Sequence, residues 1–332
     1  VVSGAHDSAG AGTGPGAWRH DAAAFAALLD RAAAALRASP VRVASAVRLP
    51  VRGRLLVTGD VHDNTLHFEA AVRAARLGAS PDHHLVLQEF LHGEGVQRLG
   101  FSDFYADAPV DMSHRLLARV AELVLEYPAQ VHPILANHEI AQCRGHGITK
   151  GGVNCTMAFD AGLAEAYGDE SAAAAAAVSR FVMAMPLGVV CANGAMVTHS
   201  LPSGPSARHF DLRVFERALV DEDFDPPFGA AHLLTWGRAH EPGQLAAFGR
   251  EWGARVFIVG HEPAPEGVLV RPPNMVVLNT GHAAGRVIDL DLAAPAPEAA
   301  ELAATAVPVS ALLSDMPDGP GRTAAGDGER LA

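Results

Sequence analysis

Short apolar runs recur along this chain, each closed at its C-terminal end by a carboxylate, an imidazole or a carboxamide. Residues 54–58 lead into Gly59-Asp60-Val61-His62, residues 84–87 into Gln88-Glu89, and residues 131–135 into Ala136-Asn137-His138-Glu139. Runs of four or five aliphatic residues bounded by turn-forming types read as buried strands. Helical periods stand between them, over residues 64–77 and over residues 113–127, where Leu116, Leu117, Val120 and Leu123 share one face. Residues 187–191 and 195–198 read as a hairpin about Asn193-Gly194, and 256–259, 268–270, 275–278 and 287–292 as further strands. Strand–helix alternation first and mainly strands later predict a mixed α/β sandwich with helices outside.

The ends carry a different pattern. Residues 1–16 are rich in Gly, Ala and Ser without a period, and read as a flexible leader. Residues 18–37 place Phe25, Leu28, Leu29, Ala32 and Leu36 at helical spacing and stop near Ser39-Pro40. Residues 296–332 mix Ala, Pro, Gly and acids and read as a tail, with Val307, Val309, Leu312 and Leu313 as an apolar patch able to dock. The expected organisation is one domain over residues 17–295 between these two segments.

Composition removes several function classes. At 49% hydrophobic over 332 residues the chain can bury a sizeable core. Lys+Arg 25 against Asp+Glu 37 gives a net charge of −12, which offers no positive footprint to a nucleic acid. No run approaches the roughly 18 apolar residues of a membrane helix, so no membrane partner is expected. Cys143, Cys155 and Cys191 form no CxxC pair, which argues against a disulfide framework and a thiolate zinc site. With no basic-then-apolar start, a cytoplasmic location is the expectation. Lys150 is the only lysine.

Loops at strand C-termini are where a sheet scaffold displays its chemistry. His199 follows the strand at 195–198, and Gly260-His261 follows the strand at 256–259. Five strand ends thus deliver oxygen and imidazole donors to one edge, which describes a metal site. Such donors without thiolate suit Mn first, with Fe or Zn as alternatives. The set exceeds what one tetrahedral ion uses. Two ions about 3.5–4 Å apart sharing a carboxylate would use it fully, an arrangement suited to phosphoester hydrolysis.

Gly59-Asp60-Val61-His62, Asn137-His138-Glu139, His199 and Gly260-His261 resemble, in order and spacing, the motifs of the calcineurin-like metallophosphoesterases. The resemblance runs from about residue 54 to 291. Gly260-His261-Glu262-Pro263 lacks the second histidine of many branches, and Leu234-Thr235-Trp236-Gly237-Arg238 is similar to a segment of the serine/threonine phosphatase and diadenosine tetraphosphate hydrolase branch. The altered second motif resembles that of a bacterial subgroup. The resemblance implies a four-layer α/β/β/α sandwich with two divalent or trivalent transition-metal ions. Asp60, His62 and Glu89 would hold one ion, and Glu89, Asn137, His199 and His261 the other. A hydroxide between the ions would attack phosphorus in line, with His138 protonating the departing oxygen.

The family's GDxxDRG motif is replaced by residues 88–94, Gln-Glu-Phe-Leu-His-Gly-Glu. Glu89 falls on the bridging aspartate, His92 on the aspartate that orients the acid histidine, and Gly93 on the phosphate-binding arginine. Arg238 is a candidate phosphate clamp, because a guanidinium binds two phosphoryl oxygens at once. Arg144 and Lys150, in the Gly-rich stretch 143–152, are candidates to replace the lost arginine, and His92 joins them in the expected substrate-binding set. His282, near the expected pocket, receives no role. The expected substrate is a phosphomonoester, as a small molecule or a phosphoprotein. A dinucleoside polyphosphate hydrolase and a non-catalytic phosphoryl-binding protein are the alternatives.

Overall fold

The computed structural model describes residues 20–93, 97–98 and 109–314. Two sheets carry the fold. The larger has seven strands in the order Arg42–Val43, Ala46–Leu49, Gly188–Cys191, Ala195–Thr198, Val256–Val259, Met275–Leu278, Val268–Arg271. The smaller has five, in the order Val307–Pro308, Arg286–Asp291, Arg54–Asp60, His83–Gln88, Val131–Pro133.

The apolar runs are continuous because both faces of each sheet are covered. Leu55, Val57 and Val86 of the smaller sheet meet Val256, Ile258, Val276 and Leu278 of the larger in a core between them. Their neighbours of opposite parity, Leu56, Leu85, Leu87, Phe257 and Met275, turn outward under helices. Helices Thr65–Ala75 and His114–Glu126 lie on the smaller sheet. Helix Pro242–Trp252 lies on the larger, with the Trp252 ring 6.0 Å from Phe257. The result is the expected α/β/β/α sandwich. Truncating Ile258 or Leu278 to alanine at the central seam is expected to cost about 2–5 kcal/mol.

The N-terminal helix spans Ala22–Ala38, capped by Asp21, whose carboxylate accepts from Ala24 N at 2.7 Å. It packs on Ser171–Val182 and His114–Glu126. The Asn193-Gly194 hairpin forms in the expected register, Gly188 opposite Thr198. Two features depart from the sequence reading. Ala46–Leu49 is a strand, parallel to Gly188–Cys191, that its brevity and the interrupting Arg48 conceal. The expected boundary at 295 falls inside packed structure: helix Ala299–Ala304 buries Ala299 and Leu302 in the inter-sheet core, and Val307–Pro308 pairs with Arg286–Asp291. An Ala-rich segment reads as tail by composition, yet methyl groups suffice to close a sheet edge. The expected leader at 1–16, and the tail from 315, lie outside the described residues.

Parallel pairing decides where the chemistry gathers. Arg54–Asp60, His83–Gln88 and Val131–Pro133 are mutually parallel neighbours, so their C-terminal ends share one edge. Ala195–Thr198, Val256–Val259 and Met275–Leu278 do the same in the other sheet. The two edges join where Asp60 bridges Asn279 and Thr280 N donates to Asp60 O at 3.1 Å. Gly59 permits this approach, since a Cβ there would run into the Leu278 carbonyl.

Candidate metal centre

Backbone hydrogen bonds lace the strand-end loops together before any side chain is considered. Val61 N and His62 N both donate to Glu89 O, at 3.0 and 2.8 Å, which sets the first loop against the second. Glu139 Oε1 accepts from Phe90 N and Leu91 N at 2.9 and 3.1 Å, anchoring the second loop to the third. Gly260 N donates to His199 O at 3.0 Å, joining the two loops of the larger sheet. His62, Glu89, His92 and His261 have φ of 45°, 41°, 59° and 65°, in the left-handed region that costs a non-glycine residue about 1–3 kcal/mol. Four strained residues at one edge are held there by these bonds.

The side chains form two clusters that meet at Glu89. On one side Asn137 Oδ1 stands 2.8 Å from His199 Nε2 and 3.0 Å from His261 Nδ1, and His199 Nε2 is 3.5 Å from Glu89 Oε1. On the other, His62 Nε2 lies 3.2 Å from Glu89 Oε2 and His138 Nε2 lies 3.8 Å from Glu89 Oε1. Within Glu89–His199–His261 and within His62–Glu89–His138, the ligand-type atoms all lie within 4.8 Å of one another. Asp60, expected beside His62, stands outside both tight sets. Its carboxylate accepts from His261 N at 3.1 and 3.0 Å, and a Cβ on Gly260 would collide with it. His138, expected only as a proton donor, has its Nε2 within ligand reach.

Burial opposes charge on His62 and His199, yet Glu89 raises both, His62 to about 9, so the carboxylates of this edge draw positive charge to it. Burial together with Glu89 pushes the Asp60 carboxyl up to about 7. Burial also opposes the charge on Glu89, yet the imidazoles of His138, His199 and His62 hold it well below the usual carboxylate range. Burial drives His261 and His138 down to about 3, leaving neutral imidazoles with lone pairs to offer. Glu89 Oε1 and His199 Nδ1 are buried without a hydrogen-bond partner. Buried, orphaned oxygen and nitrogen donors of this kind fit a hard or borderline divalent metal.

Asp60, His62, Glu89, Asn137, His138 and His261 line a cleft of about 460 Å³ that also receives Lys150, Trp236, Arg238 and His282, with His199 buried behind it. Arg238 Nε donates to His261 Nε2 at 3.0 Å. A larger hollow of about 550 Å³, on the outer face of the smaller sheet, holds Arg54, Arg73 and Arg76 and, among the described residues, no cluster of ligand-type side chains.

Two expected substrate contacts are not in the cleft. Arg144 points away, pairing with Asp221 at 3.0 Å and Asp225 at 3.5 Å and covering the Phe224 ring. Its helix, Asn137–Arg144, turns its last residue to the far side, so it braces the segment around residues 221–225. His92 is fully buried behind His138, Nδ1 to Nδ1 at 2.9 Å, and touches no cleft space. Glu94, near the second motif, lies outside the described residues. The structure adds roles that the residue pattern did not announce. His282 joins two cleft loops, its Nε2 3.0 Å from Ala264 O and its Nδ1 accepting from Ala284 N. Glu262 fixes the His261 turn, bonded to His240 at 2.9 Å and Arg271 at 2.8 Å. Its place directly after Gly260-His261 was the one available signal.

No family model and no curated protein sequence matches the chain. Solved structures do. A protein serine/threonine phosphatase from Saccharomyces cerevisiae, described as similar to human phosphatase PP5, superposes with a TM-score of 0.57 at 18% identity, over 81% of this chain and 82% of its own. A cold-active protein-tyrosine phosphatase from a psychrophilic Shewanella matches at 0.46 and 10% identity, over 74% and 77%. A metallophosphoesterase from Sphaerobacter thermophilus matches at 0.35 and 14%, over 72% and 84%. The first likeness establishes a shared fold. The other two superpose too loosely to add to it.

Proposed function

We propose that this chain is a metal-dependent phosphoesterase that uses two transition-metal ions, manganese first among them, to hydrolyse a phosphomonoester of a small molecule or a phosphoprotein. The observation that carries the reading is the position of Glu89, one carboxylate oxygen toward His62 and the other toward His199. His62 and His138 line one side of that carboxylate, and Asn137, His199 and His261 the other, with Asp60 held next to His261. When bound, the ion pair supplies charge neutralisation for the phosphoryl group and a nucleophile at neutral pH.

The chain's own residues do the rest. Glu89 balances charge between the two clusters and keeps them together. Arg238 is exposed at the cleft mouth with its Nε spent on His261, which leaves its terminal NH₂ groups for phosphoryl oxygens. Lys150 brings a second positive charge from the ribbon of Thr149–Lys150 and Val153–Asn154. It stands in for the arginine that Gly93 replaces. His138 faces the leaving oxygen. Burial keeps its imidazole neutral in the resting protein, so a proton for the departing oxygen has to reach it from solvent in the cleft.

The test is direct. Chain reconstituted with excess Mn²⁺ should hold two ions by elemental analysis and turn over p-nitrophenyl phosphate, with one ion and nearly all turnover lost in Glu89→Gln. Tight phosphate binding without turnover would make it a phosphoryl-binding protein instead.

A further inference from the structure

The replacement of an aspartate by His92 leaves no carboxylate directly behind His138, and a longer chain of contacts takes its place. His138 Nδ1 lies 2.9 Å from His92 Nδ1, His92 Nε2 lies 2.9 Å from Gln142 Oε1, and Gln142 Nε2 donates to Asp160 Oδ1 at 2.8 Å. With His92 uncharged, the polarity of this chain has one consistent solution. An ionised carboxylate only accepts, so Asp160 takes the NH₂ of Gln142 and turns its amide oxygen toward His92. That oxygen also only accepts, so His92 carries its proton on Nε2. A neutral His92 then has a lone pair on Nδ1, which requires the hydrogen between the two rings to sit on His138 Nδ1. Each hydrogen is assigned from this network. His92 is fully buried and its ring nitrogens meet an imidazole and an amide oxygen, not a carboxylate, surroundings that favour the uncharged ring.

We propose that Asp160 and Gln142 are positioning residues which, through His92, fix His138 in the tautomer with its proton on Nδ1 and its lone pair on Nε2, facing Glu89. The assignment rests on the phosphoesterase reading for its purpose, though not for its geometry. A histidine used as ligand or base needs its second nitrogen held by an acceptor, usually a carboxylate or carbonyl. Here a neutral imidazole is that acceptor, and the carboxylate that sets the polarity stands two residues further out. Asp160 lies on helix Cys155–Tyr167, which starts directly after the ribbon that carries Lys150. One segment of chain thereby orders both the positive charge and the imidazole.

The metal-free protein labelled with ¹⁵N-histidine gives the decisive readout, because imidazole ¹⁵N shifts separate protonated from lone-pair nitrogens. His138→Gln identifies the His138 signals. The parent should show His138 protonated on Nδ1 and His92 on Nε2. Asp160→Ala and Gln142→Ala should move both rings toward a mixture of tautomers. Asp160→Glu, which keeps an accept-only carboxylate, should keep the parent pattern. In the Mn²⁺-loaded protein, Asp160→Ala should lower kcat about 10–100-fold with little change in KM, and Asp160→Glu should restore it. A parent His138 protonated on Nε2, or signals unchanged in both alanine variants, would overturn the proposal. Asp160 is exposed, so its variants test the polarity without threatening the fold. Loss of the phosphoesterase reading would show as a parent without turnover, a result that leaves the tautomer measurement standing.

Discussion

The two clusters that share Glu89 differ in how completely the fold assembles them. Around Asn137, His199 and His261 every side chain is buried and the donor atoms already converge at 2.8–3.0 Å on one carboxamide oxygen. Around His62 and His138 the arrangement is looser: His62 is only partly buried, Asp60 is engaged by His261 N, and His138 leans on His92. The tight cluster hangs on the larger sheet plus the turn into helix Asn137–Arg144. The loose one is built on the second motif, where the sequence departs from its resemblance. Preorganisation stabilises a bound ion by removing the cost of ordering its ligands. The tight cluster should therefore bind its ion more strongly than the loose one.

The largest expected effect comes from breaking the shared residue. Glu89→Gln keeps shape but removes charge, and should weaken the second ion roughly 10²–10³-fold and abolish nearly all turnover. Glu89→Asp retracts the carboxylate but keeps the charge, and should retain both metals at reduced affinity with some activity. Titration with Mn²⁺ followed by elemental analysis reads both. Undiminished binding of two ions by Glu89→Gln would dissolve the distinction between the clusters.

His138→Ala tests the loose cluster alone. Turnover of alkyl phosphates should fall roughly 10²–10⁴-fold, and much less for p-nitrophenyl phosphate, whose leaving group needs no proton. If His138 also serves as a ligand, the loose site loses its ion while the tight one keeps it. Paired with His261→Ala, which should empty the tight site first, metal stoichiometry assigns each residue to its side.

Smaller effects separate cleft charge from structural charge. Lys150→Ala should raise KM for a phosphomonoester about 10-fold, the scale of one charged hydrogen bond. As the single lysine, Lys150 can also be blocked by a lysine-selective reagent, and inorganic phosphate should protect it, with peptide mapping setting aside the α-amine. Arg144→Ala should leave KM unchanged and lower the melting temperature, since its partners are Asp221, Asp225 and Phe224.

The smallest effect lies away from both clusters. Burial holds His84 and His114 down to about 4 and His132 well below its usual value. Unfolded imidazoles take up protons near 6.5, so between pH 6.5 and 4 the unfolded state binds more protons and stability falls as pH drops. In the metal-free chain these three rings contribute a decline of a few degrees from pH 7.5 to 5, at about 2–4 °C per kcal/mol, against an opposite contribution from Asp60, Asp63 and Glu139, whose carboxyls burial pushes up to about 7. Metal loading should steepen it, because the ligands protonate as they release their ions. Protonation of these rings above pH 5 in a titration of the ¹⁵N-histidine-labelled chain would mean they are not held neutral.

Where the residues themselves carry a local code, the sequence determined the outcome. Both-face apolar runs marked the strands, Asn193-Gly194 marked the hairpin, and Asp60, His62, Glu89, Asn137, His199 and His261 all reach one edge because each follows its strand directly. A strand end has only one place to go once parallel neighbours align it. Tertiary structure alone decided what depends on direction in space. Arg144 and Lys150 sit six residues apart in one Gly-rich stretch, yet a helix end sends the first to an acidic loop and a short ribbon sends the second into the cleft. His92 reads as a substitution on a substrate-facing motif, but its left-handed backbone turns the ring inward, onto His138 and Gln142. The Ala-rich segment at 299–314 has no period to announce it, and it packs because the sheet edge leaves room for small side chains. Spacing along the chain fixes which residue ends a strand; only packing fixes where a side chain on a turn, a helix end or an edge will point.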